Sequence, residues 1–217
     1  MSNLQKRKFF NSRFENLDFG IFYLYWGDNH KQEVEVSKSS ALSYRYNVSE
    51  ACLNEDSILG NKSQMYDLSP FENTLYLDTD TLICGNLDFG FEMAERHGIA
   101  LSIAPFYTAR RWDANFGDIV EYNTGVTFFK KSQEVKKVFE TWEKHAFDYT
   151  NDQASFALAI YETGFNPFIL PLNWNYRYDY HSGRFLNGDI KIWHSRKPIP
   201  EQVRKPHQND KFWEINC

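Results

Sequence analysis

Leu75-Tyr76-Leu77-Asp78-Thr79-Asp80-Thr81-Leu82-Ile83 decides how the rest of the chain is read. The apolar run from Thr74 to Leu77 is too short for a helix and stops abruptly at two carboxylates. That pattern predicts a buried strand whose carboxyl end opens on a polar loop, where open α/β sheets hold their ligands. Asp78 and Asp80 stand at i and i+2, so an extended backbone points both to the same side. Two adjacent carboxylates repel, and desolvating them is costly without a cation or donors. A hard divalent cation, Mg2+ or Mn2+, supplies that compensation. A solvated strand-to-loop turn, in which one Asp caps the next element, is the other reading these residues leave open.

Outward from this stretch, strands and helices alternate. Ile21-Phe22-Tyr23-Leu24-Tyr25-Trp26, bounded by Gly20 and Gly27, reads as a strand buried on both faces, and a helix is expected from there to about Tyr46. Further strands are expected over 98–104 and 121–129. Ser132 is a fair N-cap for a helix carrying Val135, Val138, Phe139 and Trp142 on one face. Asp152 is positioned to cap a second helix through Tyr161, stopped by Gly164. Strands over 168–170 and 190–193 complete the set. The interleaving predicts α/β, with a mostly parallel central sheet flanked by helices and some antiparallel pairing near the end. Trp174, Tyr176, Tyr178 and Tyr180 alternate with polar residues, as a half-buried strand or an aromatic sugar platform would. Arg110-Arg111 reads as a solvated loop or as a contact to an acceptor or phosphate.

The chain has 217 residues, the size of one domain, and 18% of them are aromatic, which argues against disorder. A net charge of −5 argues against a nucleic-acid partner. Mean hydropathy is −0.60, with no apolar run near the ~18 residues of a membrane span. Lys6-Arg7-Lys8 is too short a basic tract to address a membrane, and no signal peptide is readable. Cys52, Cys84 and Cys217 form no pair at metal-binding spacing, which suggests a reducing, cytoplasmic setting.

The string Leu75 to Ile83 resembles the metal-binding strand end of GT-A-fold glycosyltransferases, in particular the retaining family eight that includes glycogenin and the lipopolysaccharide galactosyltransferases. Three further stretches follow in that family's order: Tyr122-Asn123-Thr124-Gly125-Val126, Asn151-Asp152-Gln153, and Trp193-His194-Ser195-Arg196-Lys197-Pro198. The resemblance spans about Gly20 to Pro198. It implies a single GT-A-type, Rossmann-like domain over 1–217, with 1–18 an N-terminal extension and 199–217 a C-terminal tail. It implies a nucleotide-sugar donor, UDP-sugar favoured, and a glycan, lipid-linked or protein acceptor. By the same resemblance His194 completes the metal site of Asp78 and Asp80, Asn123 approaches the donor sugar or acceptor, Asp152 binds the donor sugar and Gln153 lies by the reacting carbon. Lys197, or Lys62 ahead of the metal strand, meets the diphosphate. The base is met at the end of the first strand, here Tyr25-Trp26-Gly27-Asp28, which makes Tyr25 and Asp28 its candidate contacts.

The chemistry implied is transfer of a sugar to a hydroxyl with retention. The cation offsets charge gathering on the departing diphosphate. An imidazole ligand tilts the choice toward manganese. Gln153 has no useful basicity, so no general base is assigned to it. Two rivals stand beside this reading. In a haloacid-dehalogenase-like phosphohydrolase Asp78 is the nucleophile and Asp80 the acid. The other rival is a GT-A-like domain that binds a nucleotide sugar without turnover.

Overall fold

The apolar run at the start becomes β1 (Phe19–Tyr25), whose residues after Phe19 are all buried. The computed structural model describes residues 18–105, 108–146, 151–177, 189–197 and 199. Lys6-Arg7-Lys8, Cys217, Tyr178, Tyr180, Pro198 and nearly all of both expected terminal extensions lie outside them. After β1 come α1 (Asp28–Ser43), β2 (Val48–Cys52), a 3-10 turn (Leu59–Gln64) that runs into the single helical turn α2 (Met65–Leu68), β3 (Asn73–Leu77) and β4 (Thr81–Ile83). Next are α3 (Asp88–His97), β5 (Ile99–Ile103), the two-stranded ribbon β6 (Arg110–Asp113) and β7 (Gly117–Val120), and β8 (Tyr122–Lys130). The chain then runs through α4 (Gln133–His145), α5 (Asp152–Thr163), β9 (Phe168–Ile169), a 3-10 turn (Leu172–Trp174) and β10 (Ile192–His194).

Six strands form one sheet in the order β2-β1-β3-β8-β5-β9. The expected architecture is present, mixed α/β with a mostly parallel sheet. Only β8 runs against its neighbours, pairing antiparallel with both β3 and β5. The antiparallel pairing therefore falls in the middle of the sheet as well as in the later β10–β4 pair. β2 and the β6–β7 ribbon were not expected; Arg110 and Arg111 lie in β6, not in a loop.

Both faces of the sheet are covered, which explains the continuous apolar runs. Ile21, Tyr23, Leu75, Leu77 and Phe128 pack with Val34 and Ala41 of α1 and Phe91 and Ala94 of α3. The alternate residues Phe22, Leu24, Tyr76 and Phe129 pack with Val135, Val138, Phe139 and Trp142 of α4 and Phe156 of α5. The predicted stripe on α4 is thus the core face of that helix. Ser132 caps it, accepting from Val135 N. Gly164 ends α5 in the left-handed region at φ 66°, which costs a glycine least. Trp142 is fully buried, and its Nε1 donates to Asp152 O and Ser155 Oγ at 3.1 and 3.0 Å. Core packing by this ring therefore fixes the first turn of α5, and truncating it to Ala costs about 3–5 kcal/mol.

Two pairings place the functional residues. The β3–β8 register sets Leu77 opposite Val126, and Asp78 N donates to Gly125 O at 2.8 Å. Because β8 is antiparallel, its first residues, not its last, lie beside the carboxyl end of β3. Antiparallel pairing of β10 with β4 sets His194 opposite Thr81, and Ser195 N donates to Asp80 O at 3.0 Å. Residues far apart in the chain meet beyond the carboxyl end of β3, an interior strand of the sheet.

Candidate metal and donor site

Asp78, Asp80 and His194 each offer a ligand atom within 4.8 Å of the others. His194 Nε2 lies 3.2 Å from Asp80 Oδ1 and 3.6 Å from Asp78 Oδ2. His194 is 1% exposed. Its Nδ1 lies 2.7 Å from Asn175 Oδ1, a carbonyl-type oxygen that can only accept, so Nδ1 carries the proton and Nε2 presents its lone pair to the acids. Gly125 leaves the room for this: a Cβ there would lie 2.3 Å from Asp78 Oδ2 and 2.4 Å from His194 Cε1. Two carboxylate oxygens and a neutral imidazole nitrogen around a side-chain-free position suit a Mn2+-like or Mg2+-like ion.

The other oxygen of Asp78 is already engaged. Tyr76 Oη donates to Asp78 Oδ1 at 2.9 Å, and Lys62 Nζ lies 2.8 Å from the same atom. Lys62 also reaches Asp152 Oδ2 at 2.9 Å, which accepts from Thr124 Oγ1 at 2.5 Å. Burial opposes a charged Lys62, but Asp152 and Asp78 outweigh it and hold the ammonium well above its ordinary pKa. Burial likewise opposes ionised Asp78, yet the Lys62 charge keeps the carboxyl below its usual value. Burial also drives Tyr76 upward, with the Asp78 charge adding to it, so its hydroxyl stays a donor. For Asp80, desolvation is outweighed by positive charge beside it, Arg177 and Arg196 included, and the group sits well below the carboxylate range.

These groups line a cleft of about 520 Å³ together with Tyr25, Trp26, His30, Asn123, Gln153, Arg177 and Arg196. Nearly all the residues singled out in the sequence therefore converge, with three refinements. Asn151, not Asp152, caps α5, its side chain accepting from Gln153 N; Asp152 instead turns its carboxylate to Lys62 and Thr124. Asn123 faces the cleft while its Oδ1 accepts from Gly125 N at 3.1 Å. Lys62 is not an open cation but a buried bridge between two aspartates.

Two expected contacts are not among the cleft residues. Asp28 is exposed in the first turn of α1, and Lys197 is exposed beyond β10. Arg196 lines the cleft in place of Lys197. Its Nε donates to Glu33 Oε1 at 2.7 Å, and Thr79 Oγ1 donates to Glu33 Oε2 at 2.6 Å. Sequence reasoning did not single out Arg196, Glu33, Asn175 or Arg177. Arg196 had a usable signal, its place beside His194; the others had none.

The fold is that of GT-A glycosyltransferases. Mouse xyloside xylosyltransferase 1 superposes with a TM-score of 0.54 at 14% identity, covering 85% of this chain and 100% of that one. The glycosyltransferase GlyE of Streptococcus pneumoniae TIGR4 superposes at 0.56 with 16% identity over 90% of this chain, which spans 60% of GlyE. An active-site mutant of LgtC superposes at 0.52 with 12% identity, covering 89% of this chain and 94% of that one. No protein-family model matches the sequence, and no curated protein matches it. Among the described residues Asp78 and Asp80 follow the third strand, β3, whereas a haloacid-dehalogenase-like enzyme carries its nucleophile after the first, so the phosphohydrolase alternative does not fit. No helix among the described residues is long and apolar enough to cross a membrane.

Proposed function

We propose that this protein is a metal-dependent glycosyltransferase that moves a sugar from a nucleoside-diphosphate donor, UDP-sugar favoured, to a hydroxyl acceptor with retention. The observation that carries the reading is the meeting of Asp78, Asp80 and His194 at the carboxyl end of a GT-A sheet, in a cleft that also holds Asp152 and Gln153. A Mn2+ or Mg2+ ion held there supplies Lewis-acid stabilisation of the departing diphosphate.

The chain's own residues supply the rest. Tyr76 and Lys62 fix Oδ1 of Asp78, which leaves Oδ2 facing His194 and able to ligate. Asn175 sets the His194 tautomer with Nε2 deprotonated. Arg196 puts a permanent positive charge on the cleft wall for the diphosphate, the role first given to Lys197. Asp152, held by Lys62 and Thr124, accepts from donor-sugar hydroxyls, and Gln153 places its amide next to the reacting carbon without acting as a base. Tyr25 and Trp26 at the end of β1 offer aromatic surface to the base. Two described cysteines, Cys52 and Cys84, are unpaired, which supports a reducing, cytoplasmic setting.

The test is release of nucleoside diphosphate from a panel of UDP- and GDP-sugars, with Mn2+, with Mg2+ and with chelator. Metal-dependent release that fails in Asp80→Ala supports the proposal. Release indifferent to chelator overturns it. Mn2+-dependent nucleotide binding without turnover of any donor favours the non-catalytic alternative.

A further inference from the structure

Arg177 occupies the electron pair that a metal would need. Its Nη1 lies 2.6 Å from His194 Nε2, the nitrogen that faces both aspartates. With the His194 proton on Nδ1, this contact is a guanidinium N–H donating to the Nε2 lone pair. One lone pair cannot serve an N–H and a metal ion at once. A guanidinium also does not lose its proton in a protein, so moving away is the one way Arg177 can yield.

We propose that Arg177 is an exchangeable cation that makes metal binding depend on the nucleotide. In the free chain its single positive charge neutralises part of the acidic cluster formed by Asp78 and Asp80. A divalent ion alone must expel that charge and then stand close to it, which is repulsive. A nucleoside diphosphate removes both obstacles, because its oxygens give the displaced guanidinium a charge-matched acceptor in the cleft that Arg177 lines. Metal and diphosphate therefore bind with positive coupling, and linkage makes the effect reciprocal. Arg196 does not compete in this way, since its Nε is held by Glu33.

This inference rests on the proposed metal site, and its test separates the two. Mn2+ binding is followed by the electron-spin resonance of free Mn2+, with and without UDP, in the full chain and in Arg177→Ala, Arg177→Met and His194→Ala. Arg177→Met retains an apolar stem, so agreement between the two Arg177 variants rules out a packing artefact. The expected result is that both bind Mn2+ alone about tenfold more tightly than the unsubstituted chain, and that the tightening produced by UDP shrinks by a similar factor. Equal or weaker Mn2+ binding in both Arg177 variants, with His194→Ala still abolishing it, overturns the exchange and leaves the metal site standing. Mn2+ binding unchanged in His194→Ala overturns the metal site itself, and the exchange with it.

Discussion

Lys62 and Asp152 form an ion pair at 2.9 Å with both side chains almost fully buried. The same ammonium holds Asp78, so one cation links the two buried-cleft carboxylates. Removing it leaves two carboxylates facing each other without compensation. Lys62→Met is expected to lower stability by about 3 kcal/mol, the usual result of breaking a buried pair from one side. Denaturant unfolding checks this. A change below about 1 kcal/mol contradicts the bridge.

The same cluster gives stability a pH window. Asp78 and Asp80 have folded pKa values below the ordinary 3.8, so their contribution is full above about pH 4 and is lost as pH falls through the folded values. Lys62 is held above its ordinary 10.5, so its contribution is full below that pH and is lost as pH rises through the folded value. Unfolding experiments in chelator are expected to show a plateau between about pH 4 and 10.5 from these groups, falling on either side. Asp80→Asn is expected to flatten the acid limb. An acid limb of unchanged depth in that variant contradicts the assignment.

Gly125 is required by contact and not by backbone angle. Gly125→Ala is expected to weaken Mn2+ binding more than tenfold, because the added carbon collides with Asp78 Oδ2 and His194 Cε1. Gly164→Ala places a side chain at φ 66° in open space, which costs about 1 kcal/mol of stability and leaves Mn2+ binding intact. Titration of both variants with Mn2+ reads the contrast directly. Equal Mn2+ affinity in the two variants contradicts it.

Arg196 and Lys197 are adjacent in sequence but not equivalent in the cleft. Arg196→Ala is expected to raise the donor KM about tenfold, in the range of a lost charge-assisted hydrogen bond. The exposed Arg196–Glu33 pair adds at most about 1 kcal/mol to stability. Lys197→Ala is expected to change neither quantity. Steady-state kinetics with the active donor decides it, and a larger effect at Lys197 returns the diphosphate role to that residue.

Much of this was legible in the sequence, for identifiable reasons. β1, β3 and β8 are buried on both faces, so the apolar runs of β1 and of Leu75, Tyr76 and Leu77 in β3 are unbroken and easy to find, and β8 still carries Val126, Phe128 and Phe129. β2 reads Val-Ser-Glu-Ala-Cys on a sheet edge with none of its residues fully buried, so neither an apolar run nor a clean alternation marks it. The reversed direction of β8 leaves no trace, because alternation is the same read from either end. The carboxylate pair was legible from the residues themselves, whereas the meeting with His194 came only from the family resemblance; the β10–β4 pairing supplies its physical reason. Asn and Asp cap helices about equally well, so Asn151 could not be told from Asp152 until Lys62 showed where the carboxylate goes. Arg177 stands in no motif, and its role comes entirely from a contact across the fold.

Anomalous diffraction from a crystal grown with Mn2+ and UDP tests the central claim most directly. The account predicts a single strong peak within about 2.0–2.3 Å of Asp78, Asp80 and His194 Nε2, with the guanidinium of Arg177 no longer on that nitrogen. A peak elsewhere, or a cleft holding UDP with Arg177 still bonded to His194 and no ion between the aspartates, would contradict it.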